Sequence, residues 1–286
     1  MTRVFGVTGH PIDHSLSPRM HQAACDALRL DAVYAPFDVP PADAGPVLRG
    51  LIATGVSGLN VTVPLKEVMV RHVDRLTGDA AALRAVNTVV IRNGRAIGHN
   101  TDVIGIARAL RELGWPACRD ARGAGRRGRP CAALILGAGG AAKAVAWALS
   151  SVRGTQITLA NRHPKRAQQA AAWLRRARKG CHVTVQPLRG LDARPYRLII
   201  NATSVGMQGD ARLVNPRHLT RGQLVYDLVY NRPTRLVREA RRRGCVAAGG
   251  VSMLVYQGAA AFELWWHRPA PVAVMRRAVE EALCRA

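Results

Sequence analysis

The alternation of apolar and polar positions along the 286-residue chain predicts strands and helices in turn. Short runs rich in branched apolar residues have the length of strands, whereas segments with an apolar residue every three or four positions have helical spacing. The strands predicted in the first third of the chain are residues 3–7, 32–39, 58–63, 88–92 and 95–98. The helices predicted there are residues 18–30 and 42–53, and a third that starts at Pro64. Asn93-Gly94 favours a tight turn, so the last two strands are expected to form a hairpin.

The same alternation continues through the middle of the chain. The strands predicted there are residues 131–136, 155–160, 182–186, 197–201 and 223–228. The helices predicted there are residues 102–113, 143–150 and 164–178. The run at 131–136 is apolar throughout, which is typical of a strand buried on both faces of a parallel sheet. The pattern therefore predicts an α/β fold with a doubly wound sheet.

Two α/β domains are predicted from this order of elements. The first comprises residues 1–101 and is completed by residues 252–286, which hold helices predicted at 253–266 and 272–284. The second comprises residues 102–251. The polar, glycine-rich stretch at 119–130 has no apolar period, so we expect it to be an exposed loop.

Positive charge is concentrated in the middle of the chain. The sequence has 42 basic and 18 acidic residues, a formal net charge of +24. Residues 1–100 hold 10 basic and 8 acidic residues (+2), residues 101–250 hold 28 and 7 (+21), and residues 251–286 hold 4 and 3 (+1). Such charge suggests a nucleic-acid-binding protein, but that class interleaves basic with aromatic residues on a readable module, and the sequence shows no such pattern. We therefore predict no specific nucleic-acid partner.

Other features bear on the compartment and on metals. No run of about 18 apolar residues is present, and the first ten residues lack the pattern of a signal peptide, so a cytoplasmic protein without a membrane span is expected. The six cysteines are widely spaced and are predicted to be free thiols. His10 and His14 have zinc-like spacing but lie in a predicted loop, and no metal site is predicted.

A glycine-rich turn follows the apolar strand at 131–136. A strand–turn–helix context is what a dinucleotide-binding turn requires, because the helix N-terminus faces the phosphates. The residues of this turn are Gly137, Ala138, Gly139, Gly140 and Ala141. After the next strand, an NAD site usually has an acidic residue, but this chain has Asn161, Arg162, His163, Lys165 and Arg166. Cations at this place match a 2′-phosphate, so NADP(H) is the predicted cofactor.

The first third of the chain holds a cluster of small polar groups. Ser17 is a plausible N-cap of the helix at 18–30, and Asn87 and Asp102 could likewise stabilise a turn and a helix start. Together with Lys66, these side chains suit the binding of a polyhydroxylated small substrate. A purely structural role explains the whole set less well. The other members of the cluster are Ser15, Asn60, Thr62, Thr88, Asn100 and Thr101. Lys66 stands out because the chain has only four lysines.

The order of these motifs resembles the shikimate dehydrogenase family across nearly the whole chain. The matching segments are residues 9–21, 60–66, 85–88, 100–102, 137–142, 201–207, 226–230 and 250–257. Four positions depart from the usual family pattern, namely Gln22, His163, Leu228 and Gly258. Gln22 and Leu228 bear on substrate preference.

The resemblance implies a substrate domain, a Rossmann-like NADP-binding domain and an active site in the cleft between them. It implies NADPH-dependent, reversible reduction of 3-dehydroshikimate to shikimate, with Lys66 and Asp102 as the catalytic pair. The substrate residues it implies are Ser15, Ser17, Asn60, Thr62, Asn87, Asp102, Tyr230 and Gln257. The cofactor residues it implies are Gly137 to Ala141, Asn161 to His163, Lys165, Arg166, Thr203, Leu228 and Gly250. A quinate/shikimate dehydrogenase with relaxed substrate or cofactor choice is the open alternative, and a monomer or homodimer is expected.

Overall fold

The computed structural model describes residues 2–116 and 131–285, and the chain divides into two compact units. Unit 1 comprises Met1–Gly105 and Val255–Ala286, and unit 2 comprises Ile106–Leu254. These divisions lie a few residues beyond the boundaries predicted from the sequence. The assignment of a substrate domain and a cofactor domain to the predicted ranges stays a prediction.

Strands and helices alternate through both units. The strands of the described residues are β1 Arg3–Gly9, β2 Ala32–Asp38, β3 Gly58–Val61, β4 Arg75–Leu76, β5 Thr88–Arg92, β6 Arg95–His99, β7 Cys131–Leu136, β8 Thr155–Asn161, β9 His182–Pro187, β10 Leu198–Asn201, β11 Leu224–Asp227 and β12 Val246–Ala248. The α-helices are α1 Ser17–Ala27, α2 Ala44–Ala53, α3 Leu65–Val68, α4 Gly78–Leu83, α5 Asp102–Glu112, α6 Gly140–Ser150, α7 Pro164–Ala177, α8 Arg235–Arg242, α9 Val251–Trp266 and α10 Val272–Cys284. Short 3₁₀ segments lie at Pro41–Asp43, Met69–Arg71 and Pro216–His218.

Unit 1 is built on a mixed six-stranded sheet in the order β2-β1-β3-β5-β6-β4. β1 pairs in parallel with both β2 and β3, whereas β5 pairs antiparallel with β3 and forms the predicted hairpin with β6. One apolar cluster joins Leu59 and Val61 of β3 to Leu48 of α2 and Leu65 of α3. The C-terminal helices belong to this unit, since α10 packs against α1 and Trp265 of α9 packs on the sheet.

Unit 2 is built on a fully parallel six-stranded sheet in the order β12-β11-β10-β7-β8-β9. The order reverses at β7, so this unit is a Rossmann-like, doubly wound sheet, as predicted. Residues 133–136 of β7 are fully buried, which explains why this strand reads as a continuous apolar run. A parallel sheet ends its strands on one common edge, and the glycine turn after β7 therefore lies at the same edge as the ends of β8, β10 and β11.

Several predictions about local structure need correction. The helix predicted to begin at residue 143 begins at Gly140, so the glycine turn itself supplies its first residues. Ser17 is not an N-cap, because α1 begins one residue early with Leu16 as the cap residue. Instead, Ser15 Oγ accepts a hydrogen bond from the Ser17 backbone N–H at 3.3 Å. The elements α4, β4, α8 and β12 were missing from the prediction.

The cysteine prediction is also wrong at one position. Cys25, Cys181, Cys245 and Cys284 are free, but Cys131 is disulfide-bonded. Pairing depends on distance in the fold, which the spacing of cysteines along a chain does not report. The predicted loop at 119–130 lies outside the described residues. Within the described ranges, no helix is long and apolar enough to cross a membrane.

Candidate active site

A lysine–aspartate pair lies at the centre of the polar group in unit 1. Lys66 is in the short helix α3 and Asp102 is the first residue of α5, and Lys66 Nζ lies 2.7 Å from Asp102 Oδ2. The side chains are 30% and 12% exposed, so the pair is accessible yet mostly withdrawn from solvent. The backbone N–H of Val86 donates to the Lys66 carbonyl at 2.8 Å, which ties α3 to the segment before β5. The pair is therefore held by the fold as well as by its own charge.

Asn87 joins this pair to its surroundings. Its Nδ2 donates to Asp102 Oδ1 at 2.9 Å and to Thr101 Oγ1 at 3.0 Å, and Gln257 Oε1 lies 3.3 Å away. Its Oδ1 accepts from the Thr101 backbone N–H at 2.6 Å. Asp102 thus uses one carboxylate oxygen for the amide and the other for the ammonium group. These two contacts fix the orientation of the Asp102 carboxylate.

Asn60 extends the network along β3. Its Nδ2 donates to Thr88 Oγ1 at 3.3 Å and to the Asn87 carbonyl at 3.4 Å, while its Oδ1 accepts from the Tyr34 hydroxyl at 2.7 Å. Thr88 Oγ1 in turn donates to Asn87 Oδ1 at 3.1 Å. The fold therefore brings together, in one hydrogen-bonded group, a subset of the predicted catalytic and substrate residues. They are Asn60, Lys66, Asn87, Asp102 and Gln257.

The remaining predicted substrate residues lie on other segments of the chain. Ser15 and Ser17 are at the start of α1, where they bond to each other, and Thr62 follows β3 with its backbone N–H on the Thr8 carbonyl at 2.8 Å. Tyr230 belongs to unit 2 and follows β11. Burial raises the pKa of the Tyr230 hydroxyl, which keeps it protonated and able to donate.

The glycine turn of unit 2 has the shape of a dinucleotide cradle. Gly137 has φ of 116°, and a Cβ at this position would lie 2.8 Å from the Ala202 carbonyl oxygen. A side chain is therefore excluded here by both conformation and space. Gly139 and Gly140 have no neighbours within 4 Å of a hypothetical Cβ, so the backbone at the start of α6 is open for close approach. The helix N-terminus presents free N–H groups there, which suits a pyrophosphate.

The cationic segment after β8 is exposed at the start of α7. Asn161 Nδ2 donates to the His163 carbonyl at 3.0 Å, which folds the strand end back on itself. The first turn of α7 has no acidic residue, so its cations oppose the helix dipole. Within the described ranges, Arg162, Lys165 and Arg166 form no ion pair. A bound phosphate at this place would relieve an unfavourable concentration of charge.

A second buried network supports the other predicted cofactor residues of unit 2. Asp227 is fully buried and accepts from Asn201 Nδ2 at 2.8 Å, from the Val229 N–H at 3.0 Å and from Thr234 Oγ1 at 2.7 Å. Burial raises the pKa of Asp227, and these three hydrogen bonds oppose the rise. Asn201 Oδ1 accepts from both the hydroxyl and the N–H of Thr203, at 2.7 and 2.9 Å. The network thereby holds the segment that contains Thr203 against the segment that contains Leu228.

Gly250 packs directly on Leu228. A Cβ at Gly250 would overlap the Leu228 carbonyl oxygen, and the Gly250 N–H donates to the Val229 carbonyl at 3.0 Å. Two residues predicted to line the cofactor therefore lie in contact at one edge of the unit 2 sheet. Among the described residues, no group of three or more His, Cys, Asp or Glu side chains is placed to hold a metal ion.

Sequence reasoning missed two residues that hold these groups in place. Tyr34 bonds to Asn60 in unit 1, and Asp227 joins the two segments of unit 2. Asp227 has a signal in the sequence, since an acidic residue at the end of an apolar strand must find partners. Tyr34 has a weaker one, since an aromatic residue in a strand is usually a packing residue.

The sheet and glycine turn of unit 2 are those of dinucleotide-dependent dehydrogenases, and an ammonium–carboxylate pair is a group that can move a proton at a substrate oxygen. Family models for the shikimate dehydrogenase substrate binding domain and the shikimate 5′-dehydrogenase C-terminal domain match residues 7–89 and 250–280. The shikimate dehydrogenase (NADP(+)) of Methanopyrus kandleri is 43% identical over 290 residues, which cover 99% of this chain and 96% of that protein. The chain belongs to the shikimate dehydrogenase family.

Solved structures agree with this assignment. The shikimate 5-dehydrogenase of Thermus thermophilus, crystallised with NADP(H) and shikimate, is 36% identical with a TM-score of 0.85, covering 98% of this chain and 100% of that one. A quinate dehydrogenase from Corynebacterium glutamicum, crystallised with NAD, is 30% identical with a TM-score of 0.88, covering 98% and 99%. The fold is therefore shared by enzymes that differ in substrate and cofactor.

Proposed function

We propose that this protein is an NADP(H)-dependent dehydrogenase that interconverts 3-dehydroshikimate and shikimate. The observation that carries the proposal is the Lys66–Asp102 pair at 2.7 Å, bound to an amide network that can address several hydroxyl groups. Full-length similarity to a shikimate dehydrogenase (NADP(+)) supports the substrate and the cofactor. The residue roles below rest on this geometry and on the motifs.

The residues of unit 2 fit NADP(H). The turn from Gly137 to Ala141 would hold the pyrophosphate at the start of α6, and the open backbone at Gly139 and Gly140 supports this. Arg162, with Asn161, His163, Lys165 and Arg166 beside it, would hold the 2′-phosphate. Thr203, Leu228 and Gly250 would line the nicotinamide side, where the Asp227 network supports them. When bound, NADPH supplies the hydride that reaches the carbonyl carbon of the substrate.

Lys66 holds the proton that the reaction needs at the carbonyl oxygen. As the carbon is reduced, negative charge develops on this oxygen, and Lys66 Nζ donates a hydrogen bond and then the proton to it. In the reverse direction, the amine takes the proton back from the hydroxyl. Asp102 Oδ2 keeps the ammonium group in place, and Asn87 holds the other carboxylate oxygen. An arginine could not exchange the proton in this way.

The amide groups around the pair position the substrate. Asn60, Asn87 and Gln257 present both donors and acceptors, which suits the neighbouring hydroxyl groups of a polyhydroxylated ring. Ser15, Ser17, Thr62 and Tyr230 are proposed as the further substrate contacts that the family motifs imply. A cytoplasmic location and a monomeric or homodimeric state stay predictions from the sequence.

An initial-rate assay of the oxidation direction tests the proposal. Shikimate and quinate are each offered with NADP⁺ and with NAD⁺, and reduced cofactor is measured. Shikimate with NADP⁺ should give the highest kcat/KM of the four combinations. A preference for quinate with NAD⁺ would instead favour the quinate/shikimate alternative, and no turnover with any pair would refute both.

A further inference from the structure

Tyr34 lies beneath the substrate amides of unit 1 without belonging to any of the motifs. It is 6% exposed, and its hydroxyl donates to Asn60 Oδ1 at 2.7 Å. β1 separates their two strands: Tyr34 pairs with Phe5, and Asn60 pairs with Val7. Residues 5 and 7 of a strand point to the same face, so the phenol reaches across β1 to the amide on one face of the sheet.

The ring of Tyr34 is packed in an aromatic cluster with His21 and Trp265. His21 of α1 stacks on it with the ring centroids 4.5 Å apart and the planes 1° from parallel, and Trp265 of α9 lies at 6.3 Å. Burial lowers the pKa of His21 to about 3, opposed by the Asn60 side chain, so the stacked imidazole is neutral at physiological pH. The phenol therefore has little freedom to move away from Asn60.

The backbone of Tyr34 is held as well, by Gln22. Gln22 Oε1 accepts from the Tyr34 N–H at 3.1 Å, and Gln22 Nε2 donates to the Ala32 carbonyl at 3.2 Å. β2 is an edge strand, so these backbone groups have no neighbouring strand on that side. Gln22, which departs from the usual family asparagine, thus supports the strand that carries Tyr34.

The Tyr34 hydroxyl and the Asn87 carbonyl together determine which way the Asn60 amide faces. A side-chain amide can be turned by half a rotation, and its hydrogen-bond partners decide which end is the donor. Burial raises the pKa of Tyr34 well above its usual range, opposed by hydrogen bonding to Ser17, so the phenol keeps its proton. That proton is donated to the oxygen of Asn60. The NH₂ group then faces Thr88 Oγ1 and the Asn87 carbonyl through long bonds of 3.3 and 3.4 Å. Bonds of this length can be given up readily to a substrate hydroxyl.

We propose that Tyr34 is a positioning residue for substrate recognition, which presents the NH₂ group of Asn60 to a hydroxyl of the ring. The proposal rests on the proposed function, because it needs Asn60 to contact the substrate. Tyr34 acts on substrate affinity, since its hydroxyl reaches the Lys66–Asp102 pair only through Asn60, Thr88 and Asn87.

The test compares Tyr34→Phe with the same substitution at Tyr196. Tyr196 is a buried tyrosine in the apolar core of unit 2, and Tyr196→Phe also removes one phenol hydroxyl. Tyr34→Phe should raise the KM for shikimate about tenfold, the effect of one lost hydrogen bond, with kcat changed less than about twofold and the KM for NADP⁺ unchanged. Tyr196→Phe should leave the KM for shikimate unchanged.

A second variant separates positioning from loss of fold. In an Asn60→Ala background, Tyr34→Phe should cause no further rise in the KM for shikimate, because the amide that it orients is gone. An unchanged KM in Tyr34→Phe, an equal rise in Tyr196→Phe, or a full further rise in the Asn60→Ala background would each overturn the positioning role. If the wild-type enzyme turns over shikimate, any of these three results overturns the positioning role alone and leaves the proposed function intact. Wild-type enzyme without turnover refutes that function and the positioning role with it.

Discussion

Asp102 in unit 1 and Asp227 in unit 2 are both withdrawn from water, yet their surroundings differ in kind. Asp102 has a 12% exposed side chain and a lysine partner at 2.7 Å, so one of its oxygens faces a group that can exchange a proton. Asp227 is fully buried, and its hydrogen bonds among the described residues come from the neutral donors of Asn201, Val229 and Thr234. A carboxylate among neutral donors holds chain segments together, whereas one beside an accessible ammonium group can serve chemistry. Under the proposed function, the contrast would place the proton chemistry in unit 1 and the support of the predicted cofactor residues in unit 2.

Removing the amine of Lys66 should give the largest effect. Lys66→Ala should lower kcat by at least about 10²-fold, the usual scale for a lost proton-transfer group, while NADPH binding stays intact. Steady-state rates and a titration of NADPH fluorescence measure the two quantities. Lys179→Ala, at an exposed lysine of unit 2, is the matched control and should behave like the wild type. Near-normal turnover in Lys66→Ala would refute the assignment.

Substitution of Asp227 tests the structural side of the comparison, through the stability of the fold. Asp227→Ala leaves three buried donors without an acceptor, so the free energy of unfolding should fall by about 3 kcal/mol or more. Asp102→Asn should lower activity strongly and change stability by less than about 1 kcal/mol, since its ion pair is partly exposed. Urea denaturation of both variants measures the change in the free energy of unfolding. Equal losses of stability would remove the distinction between the two carboxylates.

Acid should act on unit 1 through His21. The folded protein holds this imidazole with a pKa of about 3, against 6.5 for an ordinary histidine, so the unfolded chain binds the extra proton between those values. Stability is therefore lost as the pH falls below about 6.5, by about 2 kcal/mol at pH 5. His99, whose pKa is lowered by burial and by Arg75 and Arg92, acts in the same direction. The raised pKa of Asp227 acts in the opposite direction, because that group favours the folded state as it gains a proton.

Urea midpoints at pH 7 and pH 5 measure the histidine contribution. His21→Phe keeps a ring against Tyr34 but has no proton to gain, so its stability should fall less between the two pH values than that of the wild type. A pH dependence equal to the wild type would show that His21 is not the group responsible.

The smallest of these effects is expected at the cationic start of α7. Arg162→Ala should raise the KM for NADPH about tenfold and leave the KM for NADH almost unchanged, because only NADPH carries the 2′-phosphate. Arg176→Ala, at an exposed arginine near the other end of α7, is the control for loss of charge in general. Equal changes for the two cofactors would contradict the 2′-phosphate role.

The strands and the larger helices could be predicted because their apolar periods are strong. The strand β7 matches its prediction residue for residue, and α10 does as well. The helix α8 was missed because its apolar face consists of only Leu236, Val237 and Ala240 among four arginines. β12 is three residues long and pairs with a single neighbour, so it has no period to detect.

The site residues also divide into those that could be predicted from the sequence and those that could not. Lys66, Asn87 and Asp102 could be predicted from the chemistry of their motifs, and the fold brings them within hydrogen-bond distance. Tyr34 could not, because its contact with Asn60 depends on the registers of β2 and β3 on either side of β1. These strands are joined by long connections, so their mutual register is not set by a short turn.

The central claim is that proton chemistry and cofactor choice reside in different units. The ratio of kcat/KM for NADPH to kcat/KM for NADH, measured in the wild type and in Lys66→Ala, tests it most directly. Loss of the amine should lower both values by the same factor and leave the ratio unchanged, since Lys66 shares no hydrogen-bond partner with Arg162 among the described residues. A ratio that shifts in Lys66→Ala as far as it does in Arg162→Ala would contradict the division between the units.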